Sequence, residues 1–193
     1  MDRKIDVIED LNGEKIVFIN DILFKGKRSI DWLEVEKYLK KFIGESYTIE
    51  DSDDVVFIGK DLPDEYAHSN YTQILKGTNA KAKANAAQGL PQLIEVAKGK
   101  SYKENYKEKH NNDAKYGWYR YNSKFALPVY DNNGEIEQYN VFNVIMIIRH
   151  AEDGKMYLYD IMNIKKETST LFQSKDLTQS KTHFLGIYYK NNI

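Results

Sequence analysis

The feature that most constrains the fold of this 193-residue chain is a succession of three long strand-like segments in its second half. Their sequences are YRYNSKFALPVY, YNVFNVIMIIRH and KMYLYDIMNIKKET. Asp131–Gly134 and Glu152–Gly154 separate them, and both connections have the Asn/Asp-Gly composition of hairpin turns. The middle segment is rich in β-branched and apolar residues, which favour strands. The sequence therefore predicts adjacent antiparallel strands over 118–130, 138–150 and 156–166.

Alternation along these strands predicts which side chains share a face of the sheet. If both turns close symmetrically, the odd-numbered residues of all three strands share one face, which is apolar at one end and polar at the other. The polar end carries Tyr121, Ser123, Asn143, Asn163 and Lys165. We interpret this cluster as the floor of a cleft. The alternative is a set of ordinary strand-edge residues in contact with water, because a register shift of one residue would turn one strand's set over.

The rest of the chain predicts a helical middle behind a small N-terminal unit. The predicted elements are a strand at 15–21, a helix with its N-cap at Ser29, a hairpin over 47–58, helices across 64–97 and a last strand at 183–189. Residues 98–115 are strongly charged and are expected to form either a third helix or a solvated loop.

These elements predict an α+β fold: a helical block followed by a mainly antiparallel four-stranded sheet, with a small N-terminal strand–helix–hairpin annex. We predict the annex over residues 1–60 and the main unit over 61–193, with one continuous domain as the alternative.

Composition excludes several classes of function. The formal net charge is −1, so nucleic-acid binding requires a local basic patch, and lysines between 76 and 115 offer one. The chain has no cysteine, which excludes disulfides, thiol nucleophiles and cysteine-ligated zinc. The charged start and the short longest apolar run, Val144 to Ile148, predict a soluble, cytoplasmic protein without a membrane partner.

No sequence motif for a metal, a nucleotide cofactor or a serine nucleophile is present, so we expect no metal and no cofactor. Among the four histidines, His110 is the best candidate for acid–base chemistry. It lies among lysines directly before the first long strand, where a loop can fold over a cleft. The alternative is a solvated histidine in a charged segment.

The available His, Lys, Arg and Tyr side chains suit RNA cleavage without a metal, because the 2′-hydroxyl of RNA serves as nucleophile. The protein then has only to move protons and to stabilise charge on phosphorus. Arg120, Lys124, Lys165 and Lys166 are candidates for the second task, and His110 with a Tyr or Lys for the first.

Three phrases carry a resemblance to a known family. They are DEYAHSNYTQILKGTNAKAKANAAQGLPQLIEVA, KHNNDAKYGWYRYNSKFALPVYD and YLYDIMNIKKETS. Across roughly residues 57–170 the chain resembles the polyvalent-protein-associated domains of phages and conjugative elements, and through them the barnase/EndoU/colicin/RelE-like nuclease superfamily.

The resemblance implies helices followed by a four-stranded antiparallel sheet, and a nuclease site at the matching positions. It implies His110, Arg120, Tyr121 and Lys165 as catalytic candidates. With Asn143 added from the polar end of the sheet face, the substrate-binding candidates are Lys115, Asn143, Asn163, Lys166 and Thr168. The chain departs from a barnase-like pattern because no glutamate lies on a central strand, which favours a His/Lys-based mechanism.

Two functions of different classes remain open from the sequence. The first is a metal-independent endoribonuclease, an effector of a mobile genetic element that is delivered with mobile DNA and has RNA as substrate and an immunity or inhibitor protein as partner. The second is a non-catalytic module that binds nucleic acid or a host protein, such as an accessory or anti-defence protein. The 15 tyrosines suit base stacking in the first case and a protein interface in the second.

Overall fold

The computed structural model describes residues 4–10, 12–26, 29–106 and 113–173, with side chains described to residue 167. The strands are β1 Ile5–Glu9, β2 Lys15–Ile19, β3 Ser46–Thr48, β4 Val55–Phe57, β5 Lys98–Lys103, β6 Trp118–Tyr130, β7 Ile136–His150 and β8 Met156–Gln173. The α-helices are α1 Trp32–Leu39, α2 Leu62–His68, α3 Asn70–Ile74, α4 Gly77–Ala86 and α5 Leu90–Glu95. Short 3₁₀ turns follow α1 at Lys40–Phe42 and α4 at Ala87–Gly89.

All eight strands belong to one mixed sheet with the order β1-β2-β6-β7-β8-β4-β3, and β5 pairs with β6. The β2–β6 and β4–β8 pairs are parallel, whereas the other pairs are antiparallel. The predicted fold, a helical block followed by a mainly antiparallel four-stranded sheet, is therefore wrong. The helices are short, and strands from both ends of the described chain extend the sheet. A local pattern identifies a strand but does not identify its neighbour, and this is why the parallel pairs were not foreseen.

The three long antiparallel strands are confirmed as adjacent elements, with β7 beginning two residues earlier than predicted and β8 continuing to Gln173. Strand β5 was not predicted. Its sequence KGKSYK is exposed at every position, so it has no apolar alternation to distinguish it from a loop. Helix α1 begins after Asp31, not Ser29, because the Asp31 side chain accepts hydrogen bonds from the first-turn amides.

The register of the long strands differs from the symmetric one. A β-bulge lies between Val129 and Tyr130, beside the β6–β7 turn, and places Tyr121 opposite Met146 and Lys124 opposite Asn143. Bulges between β7 and β8 then place Asn143 opposite Lys165. Directly opposed residues share a face. The prediction that Tyr121 shares a face with Asn143 and Lys165 is therefore wrong, because one bulge inverts the alternation of β6 relative to β7.

The helices cover the face of the sheet that carries Tyr121. This face and the helices form the main core, in which α4 contributes alanines buried to 7% exposure or less. The helical chain approaches β2 closely at Gly89, where an added Cβ would lie 3.1 Å from a methyl group of Val17. A second, smaller apolar cluster includes Phe18, Ala126 and Val141. In the described part of the chain, no helix is long and apolar enough to cross a membrane.

Candidate functional site

Strands β5 to β8 present a second face on which polar and cationic side chains lie in cross-strand rows, and we call it the open face. One row contains Ser101, Arg120 and Ile147, next to the buried Asp160. The next row contains Lys98, Asn122, Ile145 and Met162, and the third contains Lys124, Asn143 and Lys165. Trp118 and Lys103 form a fourth pair at the other end. The open face is flanked by two clefts.

The first cleft lies between α2–α3 and the strands and has a volume of about 720 Å³. The residues that line it are Asp64, Glu65, His68, Ser69, Asn70, Tyr71, Lys103, Glu104, Asn105, Tyr106, Trp118, Arg120, Ile147, Tyr159, Asp160 and Met162. Its wall therefore combines an imidazole, two cations, four carboxylates, four aromatic rings and two amides.

Aromatic rings and free cations are the outstanding feature of this cleft. Trp118 and Tyr159 meet edge to face with their centroids 5.1 Å apart, and Tyr106 is 77% exposed. Within the described parts of the chain, the guanidinium of Arg120 and the ammonium of Lys103 have no ion-pair partner. Aromatic rings can stack on bases, and cations without an ion-pair partner can hold phosphates.

His68 is held in a fixed orientation by an acidic residue of α1. Its Nε2 lies 3.0 Å from Oε2 of Glu36, which also forms an ion pair with Lys40. Hydrogen bonds from Lys40 and then His68 hold the pKa of Glu36 below its usual value, so this carboxylate is ionised near neutral pH. In the neutral tautomer that donates its Nε2 proton to Glu36, Nδ1 of His68 is a proton acceptor. The side chain is 37% exposed.

Glu36, Asp64 and His68 also offer ligand atoms that lie within 4.8 Å of one another. One histidine and two carboxylates are a set that divalent transition metals accept. Because Glu36 is already engaged by Lys40 and His68, we assign no metal to this group.

A buried polar network lies directly beneath the first cleft. Lys83 Nζ donates to Asp160 Oδ1 at 2.6 Å and to Thr72 Oγ1 at 2.7 Å, and the two charged side chains are 0% and 1% exposed. Ser69 donates to the second oxygen of Asp160 at 2.9 Å. Burial raises the pKa of Asp160 and lowers that of Lys83, and each charge opposes the shift of the other. This network ties α3 and α4 to β8 and fixes one wall of the cleft.

The second cleft, of about 610 Å³, adjoins the first along the open face and includes Asn143, Asn163 and Lys165. Asn143 donates to Glu167 at 2.8 Å, and Asn163 has a positive φ of 53° in the bulge of β8. Lys98 and Lys124 both contact Glu14, and their hydrogen bonds lower the pKa of Glu14 to about 2. In the described chain, Lys165 has no such counter-ion.

The residues proposed from sequence thus lie in different parts of the structure. Arg120 lies in the first cleft, and Asn143, Asn163 and Lys165 lie together in the second. Lys166 is exposed on β8, opposite Phe142.

The other proposed residues lie away from the clefts or beyond description. Tyr121 is fully buried, and its hydroxyl donates to Asp54 Oδ2 at 2.5 Å. Lys115 forms an exposed ion pair with Glu152 at 2.7 Å. His110 and the side chain of Thr168 lie outside the described residues.

Sequence reasoning missed His68, Lys83 and Asp160. His68 stands in the phrase AHSNYT, whose local signal is that of a cap or surface residue. Its partner Glu36 is 32 positions away, and Lys83 and Asp160 are 77 positions apart. The one available signal was Lys83 itself, a charged residue among the buried alanines of α4. Lysine is rarely buried unless it is paired.

Comparisons with protein-family models, with curated proteins and with solved structures find no match for this chain. The geometry of the open face and its two clefts is therefore the basis for a functional assignment.

Proposed function

We propose that this protein is a metal-independent endoribonuclease that binds single-stranded RNA in the first cleft. The observation that carries the proposal is the presence of His68, oriented by Glu36, in the same cleft as four aromatic rings and Arg120, which forms no ion pair with a described residue. These are the groups needed to accept a proton, to hold a phosphate and to stack on bases.

In the proposed reaction the 2′-hydroxyl of the RNA attacks the adjacent phosphorus. His68 Nδ1 accepts the 2′-hydroxyl proton as the bond between the 2′-oxygen and phosphorus forms. The bond from phosphorus to the 5′-oxygen breaks, and the leaving oxygen takes a proton from water. Arg120 stabilises the negative charge on the phosphoryl oxygens. The products are a 2′,3′-cyclic phosphate and a 5′-hydroxyl.

The test is incubation of the purified protein with end-labelled single-stranded RNA in the presence of EDTA. Cleavage should persist, and its products should carry 2′,3′-cyclic phosphates. His68→Ala should lower the cleavage rate by about 10²–10⁴-fold, the usual worth of one acid–base group. His150→Ala is the matched control, because His150 contacts the carbonyl of Gly154 on the β7–β8 turn, outside the cleft.

Two results would overturn the assignment. Full activity in His68→Ala would exclude His68 as the base. Loss of activity in EDTA with recovery on adding a divalent metal would assign the Glu36–Asp64–His68 group to a metal.

A binding module without catalysis is the second candidate. The observation in its favour is that His68 is the single imidazole among the described residues of the first cleft, whereas metal-free RNA cleavage gains from both a base and an acid. Expression in bacteria distinguishes the two: an effector nuclease without its immunity partner should arrest growth in a His68-dependent manner, and a binding module should not.

A further inference from the structure

We propose that the two clefts form one continuous track for single-stranded RNA, in which Lys165, Asn143 and Asn163 hold the nucleotides that extend beyond the cleavage site. This inference rests on the proposed function, because it takes the first cleft as the place of cleavage. It assigns the second cleft a role in binding longer substrates and none in the chemical step.

The continuity of the track follows from the strand register. Met162 lines the first cleft, and the next two residues of its row, Ile145 and Asn122, line the second. One row of the open face therefore borders both clefts. Along β6, Arg120 and Lys124 are four residues apart, which corresponds to about 13 Å at roughly 3.3 Å per residue. This distance exceeds the length of one nucleotide, so a bound strand would place neighbouring nucleotides in the two clefts.

The chemistry of the second cleft suits a nucleic-acid backbone. Lys165 is exposed and has no carboxylate partner among the described residues, whereas Lys98 pairs with Glu14 and Lys124 pairs with Glu14 and Glu167. One free ammonium can hold one phosphate. Ile145 of this cleft and its cross-strand neighbour Met162, at the border with the first cleft, form an apolar patch on which a ribose or base can rest. The contact would hold the backbone without reading the sequence.

Binding of 2′-O-methyl oligonucleotides tests the track, because these strands keep the phosphates and bases but lack the free 2′-hydroxyl needed for cleavage. The Kd of a dinucleotide and of a hexanucleotide would be measured by fluorescence anisotropy over a range of salt concentrations. The hexanucleotide should bind more tightly. Lys165→Ala should weaken it by about tenfold and reduce the slope of log K against log salt by about 0.7, the value for one phosphate contact on a single strand.

The dinucleotide should bind the Lys165→Ala variant and the wild type equally. Lys155→Ala is the matched control, because Lys155 is an exposed lysine beside the β7–β8 turn, where its ammonium lies over the ring of Phe57. Lys155→Ala should change neither the affinity for the dinucleotide nor the affinity for the hexanucleotide.

The possible outcomes distinguish the RNA track from the proposed nuclease activity. Equal losses for both lengths, no loss at all, or no binding of the hexanucleotide would overturn the track. A loss confined to the hexanucleotide, in a protein that cleaves no RNA, would support the track and overturn the nuclease. Cleavage that depends on His68, with Lys165→Ala unchanged for every length, would support the nuclease and overturn the track.

Discussion

Replacing Lys83 with methionine should destabilise the protein, and the loss should grow as the pH rises. Lys83 and Asp160 form an ion pair at 2.6 Å, and both side chains are almost fully buried. Methionine keeps much of the side-chain shape but leaves the Asp160 carboxylate without its cation. Removing one partner of a buried pair typically costs about 3–5 kcal/mol, a large share of the roughly 5–15 kcal/mol that stabilises a folded domain.

The pH dependence follows from the pKa of Asp160. Burial already raises this pKa above its usual value, and Lys83 is the main group that opposes the rise. In the variant the pKa should rise further. Between the unfolded and folded pKa values the folded state then holds a proton that the unfolded state has released, so the free energy of unfolding falls as pH rises. The loss in free energy of unfolding relative to the wild type should be smallest in acid and should reach its full size above the raised pKa of Asp160.

Urea denaturation at about pH 5 and about pH 8 measures this deficit as a difference in the free energy of unfolding. The double variant Lys83→Met/Asp160→Asn is the control, since it lacks both titrating groups and its free energy of unfolding should carry no pH dependence from this site. Asp160→Asn alone should behave in the opposite way, with the larger deficit in acid, because the unpaired Lys83 is then buried with a lowered pKa. A Lys83→Met deficit of equal size at both pH values would refute the reasoning.

Three further outcomes are expected. Tyr121→Phe should lower the free energy of unfolding by about 1.5–3 kcal/mol, because it removes a hydrogen bond to the Asp54 carboxylate, and an unchanged urea midpoint would contradict this. Glu14 has a pKa lowered to about 2 by two lysines, so its stabilisation is complete above the ordinary value of 4.5 and is lost as pH falls toward 2. Glu14→Gln should therefore flatten this part of the pH dependence of Tm. With His68 as the proposed base, His110→Ala should leave the rate of RNA cleavage unchanged, and a loss of about 10²–10⁴-fold would assign the acid–base role to His110 instead.

Local sequence patterns were sufficient for the elements whose signals lie within a few residues. The Asn/Asp-Gly turns and the β-branched runs predicted β6, β7 and β8 as adjacent antiparallel strands. The alanine-rich run predicted helix α4. These successes have one cause: turn geometry and backbone propensity act between residues that are close in sequence. Strand β5 had no such signal and was missed.

Register and partner choice depend on contacts that the local sequence does not contain. One bulge beside the β6–β7 turn moved Tyr121 into the core and left Asn143 and Lys165 together on the open face. For the functional site, local sequence was enough to identify the residue types available for metal-free chemistry and the three strands that carry part of them. The tertiary structure alone decided that His68 meets Glu36 and that Lys83 meets Asp160 beneath the cleft. These pairs join residues that are far apart in the chain. Burying a charged side chain is costly unless a partner of opposite charge is buried beside it.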